Sequence, residues 1–84
     1  MFATKTISFK STPENWRKEY LGIKRNTVRE GKVDEDSRFM ILTNYMAGRL
    51  NLLDITIENT KTYETFTRHV TDVTWFNGGY IISW

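Results

Sequence analysis

Residues 52–84 read LLDITIENTKTYETFTRHVTDVTWFNGGYIISW, and this last third decides the fold class. Leu53, Ile55 and Ile57 alternate with polar neighbours, which predicts a strand with one buried face. Lys61-Thr62 reads as a turn, and residues 63–76 return as the partner strand of a hairpin with Phe66 as an apolar contact. Parity slips along that return: Phe66 is even-numbered, whereas Tyr63, Val73 and Trp75 are odd. The slip predicts a bulge near Arg68–Val70. Asn77-Gly78-Gly79 is the strongest turn signal in the chain, and YIISW, residues 80–84, closes the sheet as a final strand.

Working outward from this β region, residues 38–50, RFMILTNYMAGRL, admit two readings. Phe39, Leu42, Tyr45 and Met46 recur at helical spacing, with Asp36 or Ser37 as N-cap and Gly48 as stop. Phe39–Leu42 also fits a short buried strand, and periodicity does not separate the two, although the helix is preferred. Residues 30–37, EGKVDEDS, are turn-rich and acidic, and Thr27-Val28 favour an extended segment over 26–29. A helix is predicted over Pro13–Leu21. Thr12 serves as N-cap, Pro13 occupies the first turn where its missing N–H costs nothing, Glu14 faces the positive end of the dipole, and Gly22 is the stop. Trp16 and Tyr20 share a face there, with Leu21 and Ile23 near the core. Residues 5–9, with Ile7 and Phe9 inward, form the first strand. The sum is an α+β domain of about five strands and one or two helices, arranged as a small curved, mostly antiparallel sheet or a β-barrel.

At 84 residues the chain holds one domain, 1–84, since two cores could not be built from so little. Its 39% apolar content belongs to a globular chain, and its 14% aromatic content helps a small core close. Cysteine is absent, which removes disulfides, thiolate metal sites and thiol nucleophiles. No apolar run suits a signal peptide or a membrane span, so a cytoplasmic protein without membrane partners is expected.

The net charge of +2 announces no partner by itself, but its distribution is uneven. Lys10, Arg17, Lys18, Lys24, Arg25, Arg29 and Lys32 face only Glu14, Glu19 and Glu30 within residues 10–32, so this segment carries +4 and the remainder −2. His69 has no neighbouring ligands at metal spacing and reads as a surface or hairpin-partner histidine. The glycines form no phosphate loop. Of the tryptophans, Trp75, beside Phe76 and the final turn, is the one best placed for base stacking.

The segment GIKRNTVR, residues 22–29, carries the most chemistry. A helix dipole favours Lys24 and Arg25 at its C-terminal end, but not the spacing Gly22-x-Lys24-x-x-Thr27-x-Arg29, which puts Thr27 and Arg29 on one strand face. This pattern resembles the Gly-x-Lys-x-x-(Thr/Glu)-x-Arg motif of the ASCH superfamily, small β-barrel domains related to PUA RNA-binding domains. The order strand, helix, motif, later strands and a terminal aromatic-aliphatic strand is similar too. The resemblance implies a PUA-like barrel with a cleft for RNA, single-stranded nucleic acid or a modified nucleoside. It also implies Lys24 as phosphate ligand or catalytic amine, Thr27 as polar partner, and Arg29 as anion binder or structural ion-pair donor. Lys10, Arg17 and Arg25 would add charge, and Trp75 a stacking surface.

Family members resembling the N4-acetylcytidine amidohydrolase also use a tyrosine and a glutamate on later elements, the glutamate in a helical insertion before the last strand. Here 70–76 pass through Asn77-Gly78-Gly79 straight into the last strand, leaving no room for it. A lysine without an acid/base partner makes a weak enzyme. A nucleic-acid- or nucleotide-binding module without metal or cofactor is therefore preferred. The alternatives are an amidohydrolase acting on an acylated nucleobase through Lys24 and Thr27, and a trimmed phage-type protein that binds a host protein.

Overall fold

The computed structural model describes residues 4–31 and 36–84. Two helices and six strands succeed one another as β1 (Thr4–Ser11), α1 (Pro13–Tyr20), β2 (Asn26–Glu30), α2 (Ser37–Met46), β3 (Leu52–Asn59), β4 (Thr65–His69), β5 (Asp72–Phe76) and β6 (Gly79–Ser83). The strands form two three-stranded sheets, ordered β1-β3-β4 and β2-β6-β5. Among the described strands only β1 and β3 pair in parallel. The other three pairings are antiparallel.

The architecture is α+β, as expected, but a single curved sheet of five strands is not what forms. The predicted long strand over 63–76 is two strands in two sheets. The Val70 amide donates to Leu53 O at 2.8 Å, in the first sheet, and the Thr71 amide donates to Ser83 O at 2.9 Å, in the second. The parity slip marks this crossing and not a bulge: Phe66 and Val70 point inward before it, Val73 after it. Among the described residues no pairing joins the sheets into a closed barrel. The Lys61-Thr62 turn is also wider than expected. Asn59 Oδ1 accepts from the Lys61 and Thr62 amides, and Tyr63 takes a positive φ of 65°.

Residues 38–46 are helical, which resolves the open reading of that segment. Asp36 caps α2 by accepting from the Arg38 amide at 2.9 Å, and Gly48 follows the C-terminal end with φ of 77°. In α1, Thr12 Oγ1 accepts from the Asn15 amide and Gly22 has φ of 77° just beyond the cap, a left-handed conformation that glycine adopts freely. The buried face of α1 differs from the expected one. Trp16 and Glu19 face inward, while Tyr20, Leu21 and Ile23 are exposed. Trp16 drops its indole N–H onto Ile57 O at 3.0 Å, and Tyr20 lies flat over the Trp16 ring from outside.

The core lies between the sheets and under the helices. Ile7, Phe9, Leu53, Ile55, Ile57 and Phe66 come from the first sheet, Val73, Tyr80 and Ile82 from the second, Trp16 from α1, and Phe39 and Leu42 from α2. Residues 32–35, half of the turn predicted over 30–37 and including Lys32, lie outside the described residues.

Candidate functional site

β1 is an edge strand, and an unpaired edge leaves carbonyls without partners. Two arginines fill that role. Arg29, from β2, donates through Nη1 to Lys10 O at 2.8 Å, and Arg38, from the first turn of α2, donates through Nη1 to Ser8 O at 2.7 Å. Both guanidinium groups lie over the Phe9 ring between those two carbonyls, 4.9 and 4.4 Å from its centroid. Such stacking contributes ~0.5–2 kcal/mol per pair.

Arg29 is further fixed from behind. Its Nε donates to Thr27 Oγ1 at 3.0 Å and its Nη2 to Ser11 Oγ at 2.9 Å. Alternation along β2 puts Thr27 and Arg29 on the inward face, so Thr27 is buried and serves as a strut for the arginine. Burial lowers the Arg29 pKa, an effect opposed by the charge of Glu19 and reinforced by that of Arg38. Arg38 is clamped by Asp36, with its Nε within 3.1 Å of both carboxylate oxygens. These hydrogen bonds hold the Asp36 carboxyl below its ordinary pKa and raise that of Arg38.

These groups wall a cleft of about 810 Å3 between β1, the end of β2, the start of α2 and the outer face of β3-β4. Pockets for small molecules span roughly 300–1,000 Å3. Its described walls carry three cations, Lys10, Arg29 and Arg38, against three carboxylates, Glu30, Asp36 and Glu58, with hydroxyls of Ser8, Thr56 and Thr65 between them. Lys10 and Glu58 approach to 3.8 Å. The described walls are therefore dense in donors and acceptors but balanced in charge. Gly31 forms part of its floor, where a Cβ would overlap the Phe39 ring.

The sequence-derived candidates separate. Lys10 and Arg29 meet in this cleft, with Thr27 behind Arg29. Arg25 lines a second, smaller cleft of about 300 Å3 at the end of α1. Lys24, Arg17 and Trp75 line neither cleft. Lys24 instead fastens its backbone amide to Lys18 O at 3.1 Å, Arg17 stands exposed on α1, and Trp75 packs edge-on to Tyr80 at 4.8 Å with about half its surface open. His69 pairs across the β3-β4 hairpin with Asp54 at 2.9 Å, as a hairpin-partner histidine should. No cluster of metal-ligating side chains occurs among the described residues. No described helix is long and apolar enough to cross a membrane.

Sequence reasoning missed Phe9, Asp36 and Arg38 as parts of the cleft, and it missed Glu19. That carboxylate is 1% exposed, and neither oxygen has a hydrogen-bond partner among the described residues. Its signal was present: Glu19 stands three residues after Trp16, and on a helix this spacing shares a face. Comparison of the chain with protein families, with curated proteins and with solved structures finds no match.

Proposed function

We propose that the protein is an ASCH-like binding domain whose larger cleft takes one nucleoside or nucleotide unit, free or within RNA. The observation that carries this reading is the pair of guanidinium forks stacked on Phe9 at the edge of a cleft of about 810 Å3 whose described walls balance in charge. Planar cations, hydroxyls and carboxylates side by side suit a ligand that itself alternates donors and acceptors, as nucleobase edges and ribose do. A long phosphate track would call for an excess of cations that the described walls lack.

The motif supports the family reading by its placement: Gly22 ends α1, and Thr27 and Arg29 share the inward face of β2. In this view the two sheets are a PUA-like barrel left open between β1 and β2, with Arg29 bridging the gap to Lys10 O. Binding falls to Lys10, Arg29 and Arg38, while Lys24 stands aside. Thr27 Oγ1 already accepts from Arg29 and is buried, so it supports the fork and does not attack a substrate.

The test is a titration of 15N-labelled protein with nucleosides, mononucleotides and short single-stranded RNA at low and high salt. Amides of Phe9, Lys10 and Arg38 should shift together. Lys10→Ala and Arg38→Ala should weaken binding, and Lys24→Ala should leave it unchanged. The salt dependence should be shallow, with a log–log slope of about −0.7 for each phosphate neutralised. Cleft signals that stay fixed at millimolar ligand would defeat the proposal.

A further inference from the structure

The smaller cleft, about 300 Å3, lies where α1 hands over to β2, and its walls include Glu19, Gly22, Arg25, Arg68 and Trp84. It shares none of its lining residues with the larger cleft. Three of its features point to a ligand.

The first is the orphaned acid. A carboxylate shut away from water without donors costs several kcal/mol, and folds keep one only where something offsets the cost. Arg29 offsets part of it through charge, but its side-chain hydrogen bonds go to Thr27, Lys10 and Ser11. The donors that would satisfy both Glu19 oxygens are missing from the described protein.

The second feature is a pair of cations. Arg68 is anchored by Nη2 to Tyr20 O at 3.3 Å and stacks on Phe66 at 4.8 Å. Arg25 is exposed and lies against Gly22, where a Cβ would come within 3.6 Å of its Nε. The third is the half-buried indole of Trp84, packed edge-on to Phe66, in a residue whose backbone amide donates to Arg25 O at 3.0 Å.

We propose that this pocket binds a guanine nucleotide. A carboxylate accepts two parallel N–H bonds, and the N1–H and 2-amino groups of guanine present that pair. The base then faces the Trp84 ring, and the phosphate meets Arg25 and Arg68. Adenine offers an acceptor at N1, which would confront the carboxylate, and hypoxanthine keeps N1–H but lacks the amino group. A buried polar group left unpaired by the wrong ligand discriminates strongly, so GMP should bind at least about a hundredfold tighter than AMP, with IMP between. This reading is independent of the one for the larger cleft.

The experiment titrates 15N-labelled protein with GMP, IMP, AMP and free arginine, following the Trp84 indole N–H and the Gly22 amide. GMP should move both signals, and should still move them in Lys10→Ala, where the larger cleft is impaired. Glu19→Gln, which keeps the size of the side chain, should reduce GMP affinity at least tenfold while the variant still unfolds cooperatively in urea. Arg25→Ala, at an exposed position, should weaken GMP but not guanosine. The proposal is overturned if Trp84 does not respond to millimolar GMP, if AMP binds as well, or if Glu19→Gln binds GMP normally. It is equally overturned if arginine displaces GMP at equal concentration, because the pocket would then select a guanidinium and not a base.

Discussion

Replacing Arg29 by alanine should remove a large part of the stability of the whole domain, not merely a ligand contact. The side chain donates three hydrogen bonds, at 3.0 Å to Thr27 Oγ1, 2.8 Å to Lys10 O and 2.9 Å to Ser11 Oγ, and it covers the Phe9 ring. Thr27 and Ser11 are buried, so their hydroxyls would lose the partner that satisfies them. Each orphaned group costs about 1–3 kcal/mol. Glu19 would also lose the cation whose charge faces it. Breaking a buried charge interaction from one side typically costs about 3–5 kcal/mol. Contributions of this kind overlap, so a total near 4 kcal/mol is the working figure. A domain of this length has roughly 4–12 kcal/mol in all. Urea denaturation followed by tryptophan fluorescence, with ligand absent, gives the number directly. Arg29→Lys should cost less, about 2 kcal/mol, because it keeps the charge and loses the fork. Adding Glu19→Gln to Arg29→Ala should recover part of the loss, because it neutralises the acid that was left unopposed. A cost below about 1 kcal/mol for Arg29→Ala, or no recovery in the double variant, would refute the assignment of Arg29 as the strut between sheets.

Three further outcomes follow from the same contacts. Gly31→Ala should destabilise by about 1–3 kcal/mol in the same assay, because its Cβ must displace the packed Phe39 ring. Trp16→Phe should cost about 1–3 kcal/mol by leaving Ile57 O without its indole donor, whereas Tyr20→Ala, at an exposed position, should cost less. Asp36 has a folded pKa below its unfolded value, so its contribution is present above the unfolded pKa of about 3.9 and disappears as pH falls through the folded one. Asp36→Asn should therefore lower the urea midpoint at neutral pH and narrow its gap to the parent protein in acid.

The fold was legible wherever a local pattern had one cause. Thr12-Pro13-Glu14 and Gly22 bound α1 because caps act within a single turn, and the alternation of Leu53, Ile55 and Ile57 marks β3 because one sheet face is buried along its length. The sheet crossing was not legible, although its trace was. A parity change between Phe66 and Val73 is produced equally by an extra residue in one strand and by a strand that leaves its sheet. Only the partners chosen by the Val70 and Thr71 amides distinguish the two. The buried face of α1 went wrong for a related reason. Hydropathy placed Tyr20 and Leu21 inside, but a helix seated by Trp16 on Ile57 O must turn residue 19 inward too, whatever that residue is.

The site shows the same division between pattern and partner. The spacing Gly22-x-Lys24-x-x-Thr27-x-Arg29 singled out two residues that do act together, yet their shared face is the interior one. The strand alternation that pairs Thr27 with Arg29 buries Thr27 and leaves Arg29 half-buried at the cleft wall, so the chemistry they serve depends on what meets them there. Phe9, Asp36 and Arg38 stand 20, 7 and 9 residues from Arg29 and enter the cleft only because β1 is an edge whose carbonyls need donors. Nothing in the sequence of β1 says which side chain will supply them. Lys24 illustrates the converse. A residue can complete a motif and still spend its backbone on ending a helix, with its amide bound to Lys18 O and its side chain outside both clefts. The charge most in need of a partner, Glu19, sits in the same turn of sequence as the motif but carries no motif position at all. Its weight comes from burial, which composition and spacing do not record. A functional reading of this chain therefore rests on which buried polar groups are satisfied. By that criterion Arg29 is a structural fork with one face on a cleft, and Glu19 is the group that a ligand remains to complete.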